Sequence, residues 1–199
     1  TAGIAAIIVC AGLIVGVLNQ TGLGVKVTSA MLAVSGGQLW AALALTALAC
    51  LILGMEVPTT AAYVICVAVA GPALIELGLP PLVTHLFVFW YALLSTITPP
   101  VCGTVFIAAG MADAPWLAVA GRALRLGLGL YLVPIAFVVQ PALLDPAGQP
   151  VEAAIAFLRV GAALWLVAAA LAGGDRLLLS WPRLAMLTAG LALLLVRLV

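Results

Sequence analysis

The chain has 199 residues, of which 67% are hydrophobic and only 7% charged, and its formal net charge is +1. A soluble domain carries about 25% charged residues, so a soluble fold is excluded, in keeping with a mean hydropathy of +1.39. The near-neutral balance and the lack of any basic run exclude a nucleic-acid partner. A spanning helix needs roughly 20 apolar residues, which allows roughly six to eight crossings or half-crossings. Cys10, Cys50, Cys66 and Cys102 lie in apolar runs without close-paired spacing and read as buried free thiols, not as a metal site. No Met and no basic region precede the first apolar run. The chain thus lacks a signal peptide and reads as the C-terminal piece of something longer.

In chain order, Ile4 to Leu18 is apolar and ends at Asn19-Gln20-Thr21-Gly22-Leu23-Gly24. That string predicts either a helix end at the membrane surface or an intramembrane break. Val25 to Val34, with Lys26, Thr28 and Ser29, predicts a short amphipathic interfacial helix. Gln38 to Leu53 predicts a helix too short to cross but long enough to reach the membrane middle. Gly54-Met55-Glu56-Val57-Pro58-Thr59-Thr60 then interrupts it, and Ala61 to Leu77 returns, so 38–77 reads as a re-entrant hairpin. Gly78-Leu79-Pro80-Pro81 predicts a surface turn. Leu82 to Ala112 is long enough to cross, with Ser95-Thr96-Ile97-Thr98-Pro99-Pro100 in its middle, and two prolines in succession should open the helix there.

Asp113-Ala114-Pro115 predicts a turn, with Trp116 at an interface and Arg122 and Arg125 ahead of the apolar run Leu126 to Val139. Gln140 to Pro150 is the most loop-like stretch. Two plain helices, Val151 to Ala172 and Arg183 to Val199, complete the chain as scaffold, with Arg159 near the start of the first and snorkelling. If the hairpin returns to its own side, Lys26 and the Asp145 loop share that side, while Arg122, Arg125, Arg176 and Arg183 face the other. The arginine side is then cytoplasmic and the hairpin opens outward.

A bilayer has no water to satisfy free backbone groups, so broken helices persist there only when buried in protein or lining a cavity. Two breaks in neighbouring segments point to a transporter site near the midplane. Carbonyls at the end of one half-helix can hold a hard cation such as sodium, with threonine hydroxyls completing the shell. Amides at the start of the next can hold an anionic group. The competing reading is that each threonine bonds back to its own helix. Glu56, at the hairpin tip, either binds a proton or cation or faces a water-filled vestibule, whereas Glu76 is interfacial. His85, four residues into its helix, reads as a helix-end residue and not as a proton carrier. No nucleophile and base, metal-ligand cluster or phosphate loop is present, so no enzyme and no cofactor are expected.

The run Gly54-Met55-Glu56-Val57-Pro58-Thr59-Thr60-Ala61-Ala62-Tyr63 resembles a signature of the tripartite ATP-independent periplasmic (TRAP) transporters, and more narrowly of fused permeases that work with TAXI-type binding proteins. Asn19 to Gly24, Pro72 to Gly78, His85 to Phe89, Ile97 to Val101, Ala108 to Gly110 and Arg125 to Gly127 extend it over roughly Ile4 to Leu144. The resemblance implies an all-α polytopic fold, the second inverted repeat of an elevator-type sodium symporter in the bacterial inner membrane. It also implies, as partners, a periplasmic solute-binding protein for small organic acids, an N-terminal repeat and small-subunit-like helices of the same permease. Residues 1–144 would be the repeat, with hairpin 38–77 and broken helix 82–112, and 145–199 two additional helices. Gly54, Thr59, Thr60, Thr96, Thr98 and Pro99 are then the candidate cation ligands. Pro58, Thr60, Pro100 and Thr104 are the candidate substrate contacts, and Glu56 a candidate coupling carboxylate. Glu56, where the family carries a small residue, and the polar Cys102-Gly103-Thr104 depart from the pattern. The rival readings are a proton-coupled carrier of a related hairpin family and a non-transporting membrane scaffold.

Overall fold

A computed structural model of the chain describes residues 5–195 apart from 7, 8, 11, 14, 15, 18, 19, 56, 101 and 172–180, with the backbone alone at Leu23, Gly24, Pro182 and Arg183. The described residues form helices and no strand, so the chain is an all-α membrane protein. It divides into two compact units, Thr1–Ile107 and Ala108–Val199. Three helices are long and apolar enough to cross a membrane alone, Thr59–Glu76, Trp116–Val139 and Pro150–Leu171, and four shorter apolar helices accompany them among the described residues.

In the first unit, α1 (Leu23–Ser35) follows Gly22, whose φ of 65° is a left-handed conformation that glycine adopts freely. The expected separation of polar and apolar sides along α1 is not observed: Thr28 is buried while Val25 and Val34 are exposed. The hairpin consists of α2 (Leu39–Leu53) and α3 (Thr59–Glu76). Ala42, Thr46, Cys50 and Gly54 recur one turn apart along the buried stripe of α2, and Ala62, Cys66 and Ala70 do so along α3. Helices in lipid gain little from hiding apolar surface, because lipid tails are equally apolar. Small residues instead let their backbones approach and collect van der Waals contact. Cys50 and Cys66 are both buried free thiols, one on each leg. Cys10, by contrast, is exposed, which corrects the expectation of four buried thiols.

α3 closes on Gly78, at φ 89°. The Gly78 amide donates to the Ile75 carbonyl at 2.9 Å and the Leu79 amide to the Leu74 carbonyl at 3.0 Å. This pair satisfies carbonyls that a helix end leaves orphaned. Leu79 is buried, as is Leu74, so the turn that the sequence places at the surface carries an apolar plug. Pro81 then opens α4 (Pro81–Leu94) at a position where no amide is needed. α4 buries Val83, Thr84, Phe87, Val88 and Tyr91, at alternating steps of one and three that keep them on one helical face. A short 3-10 turn, Ser95–Ile97, and α5 (Gly103–Met111) follow.

In the second unit, α6 (Trp116–Val139) begins ten residues ahead of the predicted apolar run. Arg122 and Arg125 are good helix formers and extend the helix instead of delimiting it. After a 3-10 turn (Pro141–Leu144) come α7 (Pro150–Leu171) and α8 (Trp181–Leu195). Ala136, Val160, Ala163 and Leu194 make the core. A Cβ on Gly190 would lie 3.0 Å from the Ala163 carbonyl oxygen, so α7 and α8 meet backbone to backbone there. Arg159 is half-buried and lies roughly 13 Å along α7 from Pro150 at 1.5 Å per residue. It is therefore more than two turns inside its helix, not near its start.

Candidate functional site

At the hairpin tip, α2 ends when the Gly54 amide donates to the Cys50 carbonyl at 2.9 Å, and the chain turns through Met55 and Val57 to Pro58. Pro58 is extended, at φ −52° and ψ 133°, and caps α3 only through its carbonyl, which accepts from the Ala62 amide at 2.9 Å. No side chain caps the first turn of α3. The amides at Thr59, Thr60 and Ala61 are thus presented at the tip in the way that favours an anion. Thr59 is half-buried and Thr60 exposed. Glu56 lies outside the described residues, so its candidate role rests on its place in the sequence.

At the helix break, Thr98 is extended, at φ −95° and ψ 122°. A residue preceding proline is forced out of the helical region by the prolyl ring. Pro99 and Pro100, joined by a cis peptide bond, lack the amides that would have bonded Ser95 and Thr96 four residues back. Both orphaned carbonyls find other donors. The Thr98 amide donates to the Ser95 carbonyl at 3.3 Å, and the Thr104 hydroxyl reaches back to the Thr96 carbonyl at 2.7 Å. Thr104, expected among the substrate contacts, therefore staples the two sides of the break together.

The break threonines also bond back to their own helix, Thr96 Oγ1 to the Leu93 carbonyl at 2.9 Å and Thr98 Oγ1 to the Leu94 carbonyl at 2.7 Å. The competing local reading is thus present in the molecule. It does not remove the ligand reading, because a hydroxyl donates through one O–H and keeps lone pairs to face a cation. The back-bond fixes where those lone pairs point.

The tip meets the break where Gly54 faces Ser95. A Cβ on Gly54 would collide with Ser95 Oγ and sit 3.0 Å from Ser95 Cβ. Ser95 is fully buried, and its hydroxyl donates to the Ala92 carbonyl at 2.7 Å. Glycine is required at position 54 for this approach, beyond any part in ligation. Ser95 opens the polar string of the break, but nothing in the sequence marks it as the partner of Gly54. Among the described residues no hydrogen bond joins Thr59 or Thr60 to the break.

A second link is absent from the sequence reading. The Tyr63 hydroxyl on α3 lies 2.7 Å from His85 Nδ1 on α4, and Phe89 meets the Tyr63 ring edge-on at a centroid distance of 5.8 Å. His85 is therefore not a mere helix-end residue: it ties the hairpin to the broken helix. Tyr63 closes the signature string of the hairpin, and its residue type, an apolar ring with a polar tip, was the available signal.

Two helix interruptions brought side by side within an apolar, all-helical unit form the architecture of a membrane permease. Residues 1–145 match the family model described as the tripartite ATP-independent periplasmic transporter, DctM component, and the chain belongs to that family. No curated protein and no solved structure matches the chain.

Proposed function

We propose that the chain is the C-terminal repeat of a fused permease that works with a periplasmic TAXI-type binding protein. It carries small organic acids across the bacterial inner membrane with sodium as coupling ion. Residues 1–144 are the repeat itself and 145–199 two additional helices outside the site. The observation that carries this reading is the seating of the hairpin tip on the break through Gly54 and Ser95. It supports the reading by setting the tip, with the uncapped first turn of α3, against the threonine-bearing break. Sodium requires neutral or anionic oxygen ligands, which Thr96, Thr98, Thr59 and Thr60 supply through hydroxyls and Gly54 and Pro99 through carbonyls. The first turn of α3 suits the carboxylate of the solute, with Pro58, Thr60, Pro100 and Thr104 around it.

The test is uptake by proteoliposomes holding the full-length permease and its binding protein, with labelled organic acids and with or without a sodium gradient. Uptake that requires both the ion and the binding protein is the expected result. Uptake indifferent to both would end this reading. A proton-coupled carrier is the second reading, and the His85–Tyr63 hydrogen bond favours it, because it places a titratable ring on the joint between hairpin and broken helix. Uptake driven by a pH gradient alone, and abolished in His85→Gln, would select it.

A further inference from the structure

The second unit carries charge on a surface that the transport reading leaves idle. Over the first half of α6 the buried positions are Ala120 and Gly127, seven residues apart and so on one face. Arg122 and Arg125 stand on the opposite face, and both are exposed. With Ala118 and Gly121 they follow the i, i+3, i+4, i+7 spacing of a single helical stripe. Ala118 is small, and a Cβ on Gly121 would meet nothing within 4 Å, so the two arginines flank nearly bare helix backbone. One turn beyond Arg122 on this face, Leu126 is 87% exposed.

The depth of the stripe follows from the length of its helix. α6 has 24 residues, roughly 36 Å at 1.5 Å per residue, which exceeds a hydrocarbon core about 30 Å thick. Counting about 20 residues back from Val139 puts the near edge of the core close to Ala120. Arg122 and Arg125 thus sit within the first two turns of that edge. Helix side chains lean toward the amino terminus, here toward the membrane surface, so both arginines reach the level of the lipid phosphates. Leu126 stays in the hydrocarbon. α6 contains no carboxylate, and Asp145 and Glu152 follow its opposite end, so no acid along the helix offsets the pair.

We propose that this stripe of α6 is a binding site for an anionic phospholipid of the phosphatidylglycerol type. The phosphodiester rests between Arg122 and Arg125 over Ala118 and Gly121, and each guanidinium offers paired N–H donors to its oxygens. One acyl chain descends along Leu126. A zwitterionic headgroup is disfavoured, because its ammonium would be held beside two cations. A free phosphate would use the arginines but not the apolar track below them, whereas a phospholipid uses both. The bound lipid fixes α6 at one depth in its leaflet.

The experiment releases the full-length permease from vesicles of equal parts phosphatidylcholine and phosphatidylglycerol and reads the lipids it retains by native mass spectrometry. Wild-type protein should retain phosphatidylglycerol over phosphatidylcholine by about tenfold. The Arg122→Gln, Arg125→Gln double variant should lose that preference. Gly121→Leu keeps both charges but fills the gap between them, and it should lower the preference as well. The ratio of the two lipids is internal to each protein, so a change in stability does not imitate the effect. Equal retention of both lipids by wild type, or no retained lipid, would overturn the proposal. An unchanged preference in either variant would do the same, since the lipid would then be held elsewhere.

Discussion

The hairpin tip and the helix break interrupt helices by opposite means. At the break, prolines delete two amides, and the carbonyls left behind are taken up locally by the Thr98 amide and the Thr104 hydroxyl. At the tip, a glycine and an extended proline end one helix and start the next with no side chain over the first turn of α3. The break is thus closed on itself and offers hydroxyl oxygens held in fixed directions. The tip is open and offers amides. On the proposed reading, a site that holds a cation and an acid together needs one of each, and the Gly54–Ser95 contact sets the tip against the break. Polarity alone does not distinguish such interruptions; what matters is which orphaned groups the surrounding chain has already satisfied.

That distinction is most directly broken at Gly54. Gly54→Val places methyl groups where Ser95 stands, and overpacking of this kind costs about 1–3 kcal/mol or more. The thermal midpoint of the purified permease should fall and uptake should vanish. Ser95→Gly in the same chain should restore part of both, and a midpoint equal to wild type in the single variant would refute the contact. Next in size is Thr104→Val, which leaves the Thr96 carbonyl without its donor at a cost of about 1–3 kcal/mol. It should lower the midpoint as well as uptake, because the staple is structural. Thr98→Ala removes the hydroxyl that bonds the Leu94 carbonyl, so it should lower the midpoint at a cost of about 1 kcal/mol. Beyond that, it should raise the sodium concentration for half-maximal uptake about tenfold, about 1.4 kcal/mol. Thr98→Ser should behave as wild type. An unchanged sodium requirement in Thr98→Ala would take Thr98 out of the cation shell.

Much of this architecture is legible in the sequence. Hydrophobic runs, with Gly54, Pro58, Gly78 and Pro99-Pro100 as punctuation, place the hairpin and the broken helix within a residue or two, because the backbone chemistry of glycine and proline is local. The contacts that join elements are not legible. Ser95 reads as one more polar residue of the break, since its partner lies some forty residues away in sequence and glycine reveals nothing of what presses against it. The Thr104 staple is hidden as well, since no rule of spacing shows a hydroxyl reaching back over two prolines. Arg159 is misplaced by simple counting: it lies more than two turns beyond either the expected start at Val151 or the observed one at Pro150.

The smallest effect tests whether the tip is held to the break at one point or two. Tyr63→Phe keeps the ring against Phe89 and removes only the hydroxyl that meets His85, so the loss should be about 0.5–1.5 kcal/mol. His85→Gln retains hydrogen-bonding capacity but not the ring, and the double variant measures how far the two changes are coupled. A coupling within this range would mean that the hairpin is pinned to the broken helix both near its tip and along its second leg, so that the two move as one body. Additive losses would mean that the bond is incidental. The contact of Gly54 with Ser95 would then alone join the amides of the tip to the oxygens of the break, and the hairpin would be free to pivot about it.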